Sequence, residues 1–223
     1  MTDTGSPFTK FWVSALLIVI IISVLTAYAY TSSNNALKDS VRQGMRSTVA
    51  VMATQIDAKD LAGLKPGDEN STQYIAVVKH LQTMRSMDDH VINAYILKVN
   101  PDQTATFLVD DLMLDDPQGS AKIGEVSTSP DKTEIFGALS GPTASKEPYT
   151  TKFGSFMSAY APIDDSVSDS NGNTYAVLAI DMSAKDYESA TSKNGFILIA
   201  GILSMLIALG SLFVFGGGCG CKT

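Results

Sequence analysis

The chain has 223 residues, 45% of them hydrophobic, with a formal net charge of −7 and two cysteines. An acidic balance of this kind offers no electrostatic footprint for nucleic acid or anionic lipid headgroups, and two cysteines cannot staple a disulfide-built scaffold. The length allows one ordinary domain beside any membrane segments.

Residues 1–10 read as a short cytoplasmic tail. The run FWVSALLIVIIISVLTAYAY, residues 11–30, carries no charge and reaches the roughly 20 residues with which a helix crosses a ~30 Å hydrocarbon core. It is therefore the expected first transmembrane helix. Its apolar stretch exceeds the roughly 7–15 residues of a secretion signal, which favours an uncleaved anchor, although AYA at residues 27–29 is compatible with cleavage. Residues 31–56 are expected to continue as a membrane-proximal helix, because Leu37, Val41, Met45, Thr48, Met52 and Ile56 recur every three or four residues. So narrow a stripe needs a partner, either the domain's own sheet or the same helix of a second chain. The second choice gives the expected parallel homodimer.

Residues 57–194 make up the expected extracytoplasmic domain. AKDLAGL is a short helical piece and KPGDENS a turn by its Pro, Gly and Asn. Ser71 or Thr72 can cap the next helix, whose apolar face is expected at Ile75, Val78, Leu81 and Met84. Asn70-Ser71-Thr72 is also a glycosylation sequon. Residues 92–99 and 104–111, joined by NPDQ, read as a β-hairpin from their β-branched and aromatic content and their Asn-Pro-Asp turn. LMLDDPQGSAKIGEVSTSP reads as loop, DKTEIFGALS as a short helix, and GPTASKEPYTTKFG as the lead into a last hairpin. In that hairpin Phe156, Ser158 and Tyr160 share one face of the first strand. Tyr175, Val177, Ala179 and Asp181 share one face of the second, with Asn171-Gly172 as the turn.

The run FILIAGILSMLIALGSLFVF supplies a second expected span over residues 195–215, and residues 216–223 a second cytoplasmic tail. Lys10 and Lys222, just outside the two spans, favour both termini in the cytoplasm, while the region between is too long for its own charge to set orientation. Cys219 and Cys221 fall in that tail, where thiols usually stay reduced; two ligands do not close a zinc site, and lipidation is the other use of such a pair.

The order of helix, QIDAKDLAGLKPGDENSTQYIAVVKHLQTMRSMD, hairpin, loop with helix, then GSFMSAYAPIDDS and NGNTYAVLAIDMSA resembles the single-Cache, PAS-like extracytoplasmic sensor domain. Such domains belong to membrane-bound histidine kinases, diguanylate cyclases and chemoreceptors. The resemblance covers residues 45–185 and implies an α+β fold, a five-stranded antiparallel sheet with a long amino-terminal helix, flanked here by the two spans. Receptors of that family carry an output domain after the second span, whereas this sequence runs only to Thr223. The expectation is a sensor that signals through its second transmembrane helix to a separate signalling partner or to a missing output domain. The competing expectation is a structural or self-assembling surface protein.

By the same resemblance the ligand lies between the sheet and the segments over it, which puts Tyr95, Asp110, Tyr149, Phe156, Tyr160 and Asp181 near the candidate site. Aromatic faces with carboxylates suit a small amine or other cation. A carboxylate ligand prefers an arginine fork, and Arg42, Arg46 and Arg85 all lie off the strands, which disfavours organic acids. Asp110, Asp111, Asp115 and Asp116 lack the spacing of a calcium loop and read as a solvated acidic loop, so no metal and no cofactor are expected. His80 and His90 have no carboxylate motif linking them and read as surface residues. No nucleophile elbow, zinc-protease motif or phosphate loop occurs, and the chain is not expected to be an enzyme.

Overall fold

The computed structural model describes residues 7–163 and 175–216; the Asn171-Gly172 turn, Cys219, Cys221 and Lys222 lie outside the described residues. In chain order the elements are α1 (Pro7–Ala53), α2 (Ala58–Leu61), α3 (Thr72–Arg85), β1 (Asn93–Val99), β2 (Ala105–Asp110), α4 (Lys132–Gly137), β3 (Thr143–Ala144), β4 (Tyr149–Thr151), β5 (Gly154–Pro162), β6 (Ala176–Ser183), α5 (Ala184–Thr191) and α6 (Gly195–Gly216). The chain divides into two units, residues 39–190 and the terminal segments 1–38 with 191–223.

In the larger unit the strands form one antiparallel sheet in the order β2-β1-β6-β5-β3, with β4 also paired to β5. The fold class is α+β with an antiparallel sheet and a long amino-terminal helix, as expected. The sheet has six strands where five were expected, because β3 and β4 are two short strands in the segment read as a lead into the hairpin. Their brevity, two and three residues, leaves no alternation to detect. Only the 3-10 turn Asp111–Leu114 and an isolated bridge, Thr106 to Val126, interrupt the loop that follows β2.

The sheet is covered on both sides. On one face Ala94, Ile96, Met157, Ala159, Leu178 and Ile180 pack with Met45, Val49 and Met52 of α1 and with Tyr74, Val78 and Leu81 of α3. On the other, Tyr95, Leu97, Phe107, Tyr160, Val177 and Ala179 pack with Ala121, Ile135 and Ala138. The central strand β6 is buried from Ala176 to Met182, which is why its sequence is nearly continuously apolar rather than alternating.

Local chemistry sets the helix boundaries. Asp57 caps α2 by accepting from Lys59 N at 2.9 Å, and Ser71 caps α3 by accepting from Tyr74 N at 3.1 Å. The apolar face of α3 differs from expectation at one turn: Tyr74 and Val77 are buried, and Ile75 is half-buried. The α1 stripe is likewise wider than read. Val49 and Ala53 join Met45, Met52 and Ile56 in the core, Val41 packs against it, and Thr48 stays half-buried. From Val41 onward the stripe thus packs against its own domain, while Leu37, at its start, lies outside that core.

In the smaller unit, a Cβ at Gly201 of α6 would collide with the Thr26 side chain of α1. The two helices therefore approach closely at a small residue, as membrane helices commonly do. Leu16, Val24, Phe196 and Ile207 are exposed along them, a pattern that suits lipid rather than water. The stretches Trp12–Ala53 and Ala184–Ser211 are long and apolar enough to cross a membrane.

Val49 has no exposed surface and Val51, two residues on, is 61% exposed. In thermal unfolding of the full chain in detergent, Val49→Asp is expected to abolish the cooperative transition, since an unpaired buried charge costs several kcal/mol. Val51→Asp is expected to leave the midpoint within a few degrees.

Candidate ligand-binding site

Antiparallel register turns residues far apart in sequence into rows across the sheet. Asn93, Asp181 and Ser158 form one row, and Tyr95, Ala179 and Tyr160 the next. A bulge on β2 extends the second row. Ile96 pairs with Val109 while Leu97 pairs with Phe107, so Leu108 is the extra residue. Phe107 and Asp110, three apart, consequently both lie on the Tyr95 side, which an unbroken period of two would forbid.

These rows floor a cavity of about 220 Å³ lined by Tyr95, Asp110, Tyr149, Phe156 and Asp181, together with Asn93, Phe107 and Phe153. Tyr160 does not line it: it is fully buried and connects to the cavity wall through the Tyr149 hydroxyl at 3.2 Å. The volume lies below the roughly 300–1,000 Å³ of drug-sized pockets, so a full occupant is a small molecule. Among the described residues no lysine, arginine or histidine lines the cavity.

Asp181 is the chemical centre of the site. Its Oδ1 accepts from Ser158 Oγ at 2.5 Å and from the Tyr95 hydroxyl at 3.2 Å. Burial pushes its pKa up to about 7, against the two hydrogen bonds and with help from the nearby Asp110 and Asp111. Behind it, Tyr149 meets the Ser158 hydroxyl at 2.7 Å, and Tyr160 donates to Asp131 at 3.3 Å. Asp131 also accepts from Ser145 Oγ, and burial raises its pKa. Burial likewise pushes Tyr149 up to about 12 and Tyr160 well above its ordinary value, so both hydroxyls keep their protons.

The acidic loop is not solvated as expected, for two of its aspartates are buried and committed to holding the chain. Asp110 accepts from Leu112 N at 3.0 Å and Ala121 N at 2.8 Å, one amide on each carboxylate oxygen. Burial raises the Asp110 pKa above the ordinary carboxylate value against those bonds. Asp111 accepts from Ala94 N at 3.2 Å and pairs with Arg85 Nε at 2.8 Å. Burial lifts Asp111 to about 7 against the pull of that arginine. Asp110 therefore borders the cavity as a loop anchor, and Asp181 is the lining carboxylate with an oxygen to spare. Among the described residues no cluster of three or more metal-ligating side chains occurs. His80 and His90 are exposed, the first near Gln55 O and the second near Asp88.

Sequence reasoning missed Asn93, Phe107 and Phe153 as lining residues and Asp131 as a member of the polar network. Asn93 could have been found from the hairpin pattern, since it stands two residues before Tyr95 on the same face. Phe107 could not, because its side depends on the bulge.

No protein-family model matches the chain, and no curated protein matches it. Among solved structures it is similar to the ligand-binding domain of the Campylobacter jejuni chemoreceptor Tlp3 in complex with L-valine, at 14% identity over 86% of this chain and 69% of that one, TM-score 0.41. It is also similar to the Vibrio cholerae LuxQ periplasmic domain, at 11% identity over 74% and 70%, TM-score 0.41. A third is an extracellular ligand binding receptor from Desulfohalobium retbaense, at 15% identity over 75% of this chain and 27% of that one, TM-score 0.47. The first and the third are, by name, a ligand-binding domain of a chemoreceptor and a ligand binding receptor.

A carboxyl whose pKa is raised by folding holds its proton more tightly in the folded state. Its contribution favours folding below the unfolded value near 3.8 and is lost as pH rises to about 7. In denaturant unfolding of the ligand-free chain, Asp181→Asn is expected to match wild type at pH 4. It should become progressively the more stable protein up to pH 7 and hold a constant lead above that.

Proposed function

We propose that the chain is a membrane-anchored sensor whose extracytoplasmic domain binds a small organic amine over Asp181. One observation carries the reading: a buried carboxylate with one oxygen unpaired among the described residues floors a cavity walled by aromatic rings and lined, among those residues, by no cationic side chain. Such a carboxylate is costly without a counter-ion, and a ligand ammonium supplies one while the rings add cation-π attraction. In this reading Tyr95, Tyr149 and Phe156 are wall residues, while Asp110 and Tyr160 hold the walls in place.

Residues 11–30 and 195–215 are the proposed spans, 31–56 the membrane-proximal helix and 57–194 the extracytoplasmic domain, with residues 1–10 and 216–223 in the cytoplasm. Asp181 stands close before α5, which leads on to α6, so a ligand that draws on Asp181 acts on the segment joined to the second span. The signal would pass there to an output module. No catalytic step is assigned to the site, in keeping with receptor use.

Calorimetric titration of the detergent-solubilised chain against a panel of amines and amino acids tests the binding. Asp181→Ala is expected to weaken amine binding more than tenfold, ~1.4 kcal/mol, while near-ultraviolet circular dichroism stays native. Binding confined to neutral or anionic compounds would sink the reading. The topology is tested separately with a membrane-impermeant thiol label on intact cells, which should reach a cysteine introduced at Ser168 and miss Cys219 and Cys221. The reverse pattern inverts the assignment.

A further inference from the structure

The floor of the cavity carries a second acceptor that the chain leaves unsatisfied. Asn93 Oδ1 is buried with no hydrogen-bond partner among the described residues. Its residue lines the cavity and stands directly across from Asp181 in the β1–β6 register. Opposed positions of an antiparallel pair hold their Cβ atoms roughly 4.5–5.5 Å apart, close enough for one nitrogen to touch both side chains. Asp181 Oδ1 already accepts from Ser158 and Tyr95. Asn93 Oδ1 and the second Asp181 oxygen are thus two neighbouring acceptors at the cavity with no hydrogen-bond partner among the described residues.

These two acceptors ask for different things. A carboxylate attracts any cation, and an aromatic face attracts a quaternary ammonium as readily as a primary one. An amide oxygen is satisfied only by a hydrogen that a donor brings to it, and a buried acceptor left unpaired is penalised. A quaternary head would neutralise Asp181 and still leave Asn93 Oδ1 empty, its methyl groups packed where an N–H is needed. We infer that the site selects ammonium ions that carry N–H groups, primary amines above all, over their quaternary counterparts, and that Asn93 is the residue that makes this selection. The inference rests on the amine reading above and narrows it to one head group.

The test compares phenethylamine with its N,N,N-trimethyl derivative, two probes of equal charge and the same ring, by calorimetric titration of the full chain in detergent at pH 7. Wild type is expected to bind the primary amine about tenfold or more tightly than the quaternary one. Asn93→Leu, close in size and without the amide, is expected to erase most of that preference by weakening the primary amine, with the quaternary affinity held or improved. Asn93→Ala is the second variant should leucine disturb the strand, and it should lose the preference in the same way. Equal or tighter binding of the quaternary probe by wild type overturns the selection while leaving the amine pocket standing. A preference that survives in both variants overturns the role of Asn93. Failure of wild type to bind either probe overturns the inference together with the reading beneath it.

Discussion

The structure turns on the burial of β6 at the centre of the sheet. Strands flank it on both sides and packed layers cover both its faces, so every side chain it carries must be accommodated in the interior. Six of the seven residues from Ala176 to Met182 are apolar and meet that condition by packing. Asp181 cannot, and the surrounding chain is arranged around that fact. Ser158 arrives from β5 and Tyr95 from β1 to donate to one oxygen, and the residue lines the cavity beside the strand. A strand buried on one face only would let the same aspartate point to water, with nothing to recognise.

The hydroxyls around Asp181 do more than solvate it. Ser158 and Tyr149 join it to Tyr160, and Tyr160 to Asp131. Asp131 holds Ser145, whose hydroxyl also pairs with the backbone of Ser158. From there Ser145 O accepts from Arg42 Nε of α1 at 3.0 Å, and Pro142 O from Arg46 Nε at 2.9 Å. The floor of the cavity is thereby tied by polar contacts to the long amino-terminal helix as well as by covalent continuity to α5. Networks of this kind fix a unique arrangement when all members are paired.

Three buried aspartates in one neighbourhood are given separate tasks by their partners. Asp110 is saturated by two backbone amides and anchors the loop that roofs the cavity. Asp111 is neutralised by Arg85 and holds the start of β1. Asp181 alone of the three lines the cavity with neither an arginine nor a backbone amide on its carboxylate. Burial raises the proton affinity of all three, and at Asp181 only side-chain hydroxyls oppose it.

The sequence by itself determined the parts whose physics is local. Two uncharged apolar runs, a helix cap at Ser71 or Thr72, the β-branched and aromatic content of residues 92–99 and the shared strand faces of the last hairpin all follow from spacing and residue type. The resemblance to the Cache sensor domain, not spacing, supplied the α+β class and five of the residues that line the cavity, Tyr95, Asp110, Tyr149, Phe156 and Asp181. Tertiary structure alone decided what depends on partners distant along the chain. What the α1 stripe meets depends on what the fold brings to it, and from Val41 onward the domain's own core does. Phe107 reaches the cavity because a one-residue bulge shifts the phase of β2, which no periodicity in β2 announces. Asp110 and Asp181 look alike in sequence, each an aspartate at a strand's end. Their roles part because backbone amides occupy the oxygens of one and leave an oxygen of the other open, and hydrogen-bond partners are assigned only when the chain has folded.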